Sequence, residues 1–137
     1  MQVKDVMTKQ VISVAPDTSI RDVARLMSEI DAGIIPVIDG DTFGIVTDRD
    51  IVVRAVAESI DVARPISEIM TSGVESCLGS DELREAAHRM SELQMRRLLV
   101  FDDTGSISGI LSLGDIARLN EELAGVTLEE ISGDEIR

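Results

Sequence analysis

The stretch GIVTDRDI, residues 44–51, is answered by GILSLGDI, residues 109–116, and the pair decides how the chain reads. Each opens on glycine and an apolar, strand-like run, then gives a hydroxyl, two spacer residues, an Asp and an Ile. The hydroxyls are Thr47 and Ser112, and the carboxylates are Asp50 and Asp115. Thr, Ser and Asp are preferred at helix N-termini, so each element reads as a strand end passing into a helix. The spacing predicts apolar helices that start at the repeated Asp, over 50–56 and 115–119.

Outward from the motif the repetition continues. DVMT at 5–8 returns as EIMT at 68–71, an offset of 63 (70 − 7). At that offset Ile20, Val23, Ala24, Met27 and Ile30 map onto Leu83, Ala86, Ala87, Met90 and Leu93, the face of an amphipathic helix in each copy. Pro16-Asp17-Thr18-Ser19 and Gly79-Ser80-Asp81-Glu82 precede these helices with capping oxygens and acids suited to the dipole. Two strand-like runs follow in each copy. They are joined by turns at Asp39-Gly40-Asp41 and Asp102-Asp103-Thr104-Gly105, and the second hairpin is longer by two residues (65 − 63).

Each half is therefore β-α-β-β-α, an α/β (α+β) pattern, with repeat 1 over 1–60, repeat 2 over 61–120 and a linker near 60–65. A unit of ~60 residues has a marginal core alone. The two copies are expected to pack sheet to sheet about a pseudo-twofold axis. An acidic tail over 121–137 reads as a short extra helix, a dimer contact or a frayed end.

Composition narrows the function. The 137 residues carry 13 Lys+Arg against 26 Asp+Glu, a net charge of −13, which disfavours nucleic acid and anionic membranes as partners. Phe43 and Phe101 are the only aromatics, too few for base stacking. No apolar run reaches a membrane-spanning length and the N-terminus has no signal-peptide pattern, so a cytoplasmic location is expected. Cys77 has no second cysteine to pair with. DTGS at 103–106 matches a hairpin turn in the other copy, and His88 falls on the polar side of its helix. Asp39/Asp41 and Asp48/Asp50 lie outside any Ca²⁺-loop pattern, and no zinc spacing, P-loop or dinucleotide fingerprint occurs. No catalytic residue, no metal ligand and no required cofactor is expected.

The ordered set DVMT, PDTSIRDVARLM, GIIPVID and GIVTDRDI, then EIMT, RRLLVFD and GILSLGDI, resembles a tandem pair of cystathionine β-synthase (CBS) domains, or Bateman module, over about residues 5–119. Through TDRDIVVRAVAESID the chain also resembles the small stand-alone bacterial CBS-pair proteins. The resemblance implies a homodimer of CBS pairs that binds adenosine-containing ligands: AMP, ADP or ATP, or else S-adenosylmethionine or NAD. An unidentified protein target is a further expected partner.

Two readings of the repeated element stand side by side. One is a helix cap. The other is a ligand site, in which an ionised Asp accepts from the paired hydroxyls of a ribose and the Thr or Ser hydroxyl donates to a phosphate. The resemblance implies cross-built clefts, each box of one repeat facing strands of the other. Thr47 and Asp50 would face Thr71, Val74, Arg96 and Arg97, with two guanidiniums for phosphate. Ser112 and Asp115 would face Thr8, Val11, Ile12, Gly33, Ile34 and Pro36, walls without a cation, suited to a less anionic adenosyl group or to none. Asp48 adds a carboxylate near Thr47 that would repel phosphate unless it faces solvent. Leu99 replaces Pro36 in the second copy and adds a strand donor. The alternative to a nucleotide sensor is a ligand-free structural or dimerisation module acting through protein contacts.

Overall fold

In the computed structural model, which describes residues 1–9, 11–40 and 42–119, the chain forms two compact units of mixed α and β structure. One is Ile12–Val74; the other joins Met1–Val11 to the described residues from Glu75 onward. The tail from residue 120 on lies outside the described residues, as do Gln10 and Asp41.

In the Ile12–Val74 unit, α1 (Ile20–Ile30) leads to an antiparallel hairpin of β1 (Ile34–Asp39) and β2 (Thr42–Thr47). A short α2 (Asp48–Asp50) continues as a π-helix over Ile51–Val56. In the other unit β3 (Ser76–Leu78) pairs in parallel with β4 (Arg97–Phe101), which pairs antiparallel with β5 (Ile107–Ser112). There α3 (Leu83–Leu93) lies between β3 and β4, and α4 (Leu113–Leu119) follows β5. The expected β-α-β-β-α order is thus present twice. Its opening strand in the first copy is reduced to a single bridge, Val14 to Val37.

The predicted helical faces hold with two trims: Ala24 is exposed and Leu93 is largely so, because each lies at the edge of its stripe. Ser19 caps α1, its Oγ accepting from Asp22 N–H at 3.1 Å. Glu82, its counterpart before α3, makes no side-chain cap bond; Asp81 Oδ2 instead accepts from Leu78 N–H at 2.9 Å. Residues 102–106 form the hairpin loop, where Asp102 Oδ1 accepts from the N–H groups of Thr104 and Ser106 at 2.9 and 3.0 Å. Those bonds, with the Thr104 hydroxyl foremost, hold the Asp102 carboxyl below its ordinary range. His88 is an exposed residue paired with Glu92 at 2.8 Å.

The compact units cut the chain differently from the sequence repeats at 1–60 and 61–120, because the repeats exchange their opening segments. Val3 N–H donates to Asp81 O, and 63 residues later Ile66 N–H donates to Thr18 O. Lys4 N–H to Gly79 O is echoed by Ser67 N–H to Pro16 O. The first free N–H groups of the two long helices are met the same way, Leu83 by Met1 O and Ile20 by Arg64 O. Thr8 bridges to Ile110 on β5, and Thr71 to Ile45 on β2.

Residues 60–65, expected as a linker, are therefore structural: Ile60 and Val62 pack on the core of the Ile12–Val74 unit. Ile66 and Ile69 are buried in that core, as Val3 and Val6 are in the other. Each such side chain contributes about 1.5–3 kcal/mol, a large share of the roughly 5–15 kcal/mol that holds a domain folded. The exchanged segments are integral to their hosts.

Cys77 is buried in the core that α3 also lines, and loss of solvent around the thiol pushes its pKa up to about 11. Native protein at pH 8 is expected to resist iodoacetamide, with thiolate near ~10⁻³ of the total, and to label fully in urea. Because the unfolded thiol ionises first, near its ordinary 9.0, this residue's contribution to stability should fall between pH 9 and about 11. Rapid native labelling at pH 8 would contradict this environment.

Candidate functional site

β2 ends at Thr47 and β5 at Ser112, and both pass directly into helix. The same reciprocal pair locks each turn. Asp50 N–H donates to Thr47 Oγ1 at 3.1 Å, and Thr47 N–H donates to Asp50 Oδ2 at 3.0 Å. Asp115 N–H donates to Ser112 Oγ at 3.1 Å, and Ser112 N–H donates to Asp115 Oδ2 at 3.1 Å. Three-residue spacing closes such a capping box. The helices accordingly begin at Asp48 and Leu113, two residues before the expected Asp50 and Asp115, since the hydroxyl residue takes the cap and the Asp the third helical position.

The glycines that open the two motifs have a distinct task. A side chain on Gly44 would place Cβ 2.6 Å from Thr71 O, and on Gly109 2.6 Å from both Thr8 O and Met7 Sδ. Only glycine lets the exchanged Met-Thr backbone come this close to the strand.

The box fixes one carboxylate oxygen on a strand-end N–H, and the two copies differ at the other. Asp115 is buried, with Thr8 Oγ1 at 3.4 Å from each of its oxygens. Arg118, one turn on, donates to Asp115 Oδ1. Asp50 is partly open, with Arg54 Nε standing 3.7 Å from its Oδ1, beyond hydrogen-bond range. Arg54 Nη1 is directed instead at the Ile69 and Met70 carbonyls, at 3.4 and 3.5 Å. Asp48 faces solvent, its Oδ1 accepting from Arg49 N–H at 2.8 Å and its Oδ2 lying over Gly33, where a Cβ would come within 3.1 Å.

The predicted wall residues divide between the units. Thr8 and Val11 share a unit with Ser112 and Asp115; Thr71 and Val74 share one with Thr47 and Asp50. Arg96 and Arg97 belong to the Asp115 unit, where Arg97 pairs in register with Ser112. Ile12, Gly33, Ile34 and Pro36 belong to the Asp50 unit, where Ile34 pairs with Thr47. The expected walls of the Asp115 box carry no cation, but Arg118 on the helix behind the box brings one to its carboxylate. Arg54 and Arg118 were legible as the Arg four and three residues beyond each motif Asp, a spacing at which helical side chains meet. Among the described residues no cluster of three His, Cys, Asp or Glu is placed to hold a metal, and no helix is long and apolar enough to cross a membrane.

A family model described as the CBS domain matches the chain twice, over residues 3–56 and 66–122. The CBS domain-containing protein YhcV of Bacillus subtilis (strain 168) is 39% identical over 137 residues, covering 98% of this chain and 97% of its own. Among solved structures, CBSX2 in complex with AMP superposes with a TM-score of 0.67 at 30% identity, covering 89% of this chain and 97% of that one. The CBS domain pair of protein MJ0100, in complex with 5′-methylthioadenosine and S-adenosyl-L-methionine, gives 0.70 at 28% identity, with coverage of 89% and 97%.

Proposed function

The chain belongs to the CBS-domain family and carries the domain twice, and from that premise we propose that it is a non-enzymatic, cytoplasmic regulatory module that binds adenosine-containing ligands through its two capping boxes. The observation that carries this reading is the presentation of Asp50. A strand-end N–H holds its Oδ2, so Oδ1 stays oriented for the paired hydroxyls of a ribose. Support also comes from AMP in one structural relative and from methylthioadenosine and S-adenosylmethionine in another. The ligands proposed here are AMP, ADP or ATP first, with S-adenosylmethionine and NAD as further candidates. Thr71, Val74, Arg96 and Arg97 are proposed to face the Asp50 box, and Thr8, Val11, Ile12, Gly33, Ile34 and Pro36 the Asp115 box.

A homodimer is part of the proposal. Val52, Val53 and Val56 are all exposed along the π-helix, an apolar surface of the kind that a partner covers.

Ligand at 100-fold over its dissociation constant stabilises a fold by about 2.7 kcal/mol. Protein shown to be free of nucleotide should therefore gain melting temperature with at least one of AMP, ADP, ATP, S-adenosylmethionine or NAD. Asp50→Ala and Asp115→Ala should each remove one site from the calorimetric stoichiometry, beyond the ~1 kcal/mol of stability lost with the cap. No thermal response to any of the five at millimolar concentration would sink the reading. It would favour the ligand-free structural module, which Asp115 already supports, since Ser112, Thr8 and Arg118 all satisfy its carboxylate.

A further inference from the structure

Resting on that reading, we infer that Arg118 is the specificity gate of the Asp115 box. It closes the carboxylate edge that a ribose requires and, once displaced, provides the positive charge for a phosphate on the same ligand. This box therefore selects phosphorylated adenosines over neutral ones.

The two ends of the ion pair are unlike. Asp115 is 4% exposed and its Oδ2 is committed to Ser112 N–H; Oδ1 is the oxygen left to offer, with the Thr8 hydroxyl 3.4 Å away and Arg118 as its charged partner. The Arg118 side chain is itself 73% exposed. A solvated guanidinium thus lies over a buried carboxylate that the capping box holds in place. The partner that yields to a ligand is the arginine.

Displacement has a cost that depends on the ligand. Exchanging a charge-assisted contact for two neutral hydroxyls loses free energy and leaves a buried carboxylate without its cation. A ligand with a phosphate beside its ribose restores the balance, because the released guanidinium pairs with phosphate in its preferred bidentate manner. The Asp50 box lacks this device. Arg54 is directed at the Ile69 and Met70 carbonyls and stands 3.7 Å from the carboxylate, so a diol there meets an Oδ1 whose cation is beyond hydrogen-bond range. The difference follows from winding. Arg118 lies three residues beyond its Asp in an α-turn, whereas Arg54 lies four beyond in a segment that widens into a π-helix.

The test is isothermal titration of adenosine and AMP into the full chain, in an Asp50→Ala background that leaves the Asp115 box alone. With Arg118 intact, AMP should bind more tightly than adenosine. Arg118→Ala should tighten adenosine and weaken AMP, so that their affinity ratio falls about tenfold or more. Arg118→Lys should keep part of the preference, and Arg54→Ala in the otherwise unaltered chain should leave the ratio within about twofold. An unchanged ratio in Arg118→Ala, or equal weakening of both ligands, would overturn the gate while leaving the nucleotide-binding reading intact. Failure of both ligands to bind the unaltered chain and Arg118→Ala alike would overturn both.

Discussion

Gly109→Ala is expected to lower the unfolding free energy by about 1–3 kcal/mol, the usual cost of forcing a methyl into a filled site, and Gly44→Ala by a similar amount. At Gly109 the new Cβ would sit 2.6 Å from the Thr8 carbonyl and 2.6 Å from Met7 Sδ. The sulfur can swing aside, but the carbonyl belongs to backbone bonded in both directions, Thr8 N–H to Ile110 O and Ile110 N–H to Thr8 O. Relief requires the opening segment to lift from β5, taking Val3 and Val6 out of the core. At Gly44 the obstacle is again backbone, Thr71 O at 2.6 Å, with Met70 Sδ farther away at 3.5 Å. Gly114→Ala is the matched control: its Cβ would meet only Ser112 Oγ at 3.6 Å, and alanine should stabilise α4 by about 0.5–1 kcal/mol. Urea unfolding monitored by circular dichroism reads all three. A Gly109→Ala midpoint at or above the parent's would show that the close approach does not constrain the fold.

The same glycines show how far the sequence could be read. Their recurrence at the head of each motif was visible, as were the helical stripes, the hairpins and the hydroxyl-to-carboxylate spacing, because each rests on local periodicity. The partner of each Met-Thr segment was not visible. In a duplicated sequence, pairing within a repeat and exchange between repeats present the same residue types at the same spacing, so hydrophobic pattern cannot separate them. Hydrogen bonds such as Leu83 N–H to Met1 O separate them at once. The π-helix after Asp50 was hidden for a related reason. DIVVRAV carries an apolar pattern that suits either winding, and bonds such as Ala57 N–H to Val52 O reveal the wider turn. Arg118 was in plain view at three residues from Asp115, but its role depends on Asp115 being buried, which spacing alone does not give.

Leu99→Pro is expected to be the most damaging single change considered, costing about 3 kcal/mol or more through a lost strand donor and a lost buried side chain. The chain already contains the comparison, because Pro36 holds this position in the first copy. There the opening segment makes one bridge, Val14 to Val37, flanked by Val14 N–H to Pro36 O and Ile38 N–H to Val14 O. Pro36 has no N–H to offer Ile12, and the pairing stops. In the second copy Leu99 N–H donates to Glu75 O at 3.1 Å, and the same segment becomes β3, paired over Ser76–Leu78. Leu99 is 1% exposed and lies on the central strand of its sheet, where proline is poorly tolerated. Proline there should cut β3 back toward a single bridge at Cys77 and Val100. Amide exchange reads this directly: Gly79 N–H, bonded to Phe101 O at 3.0 Å, should lose protection by more than the global destabilisation explains. A stability loss below about 1 kcal/mol, with Gly79 still protected, would mean that the missing donor at Pro36 is not what separates the two sheets. Cys77 would then label no faster than in the parent, whereas a released β3 exposes it.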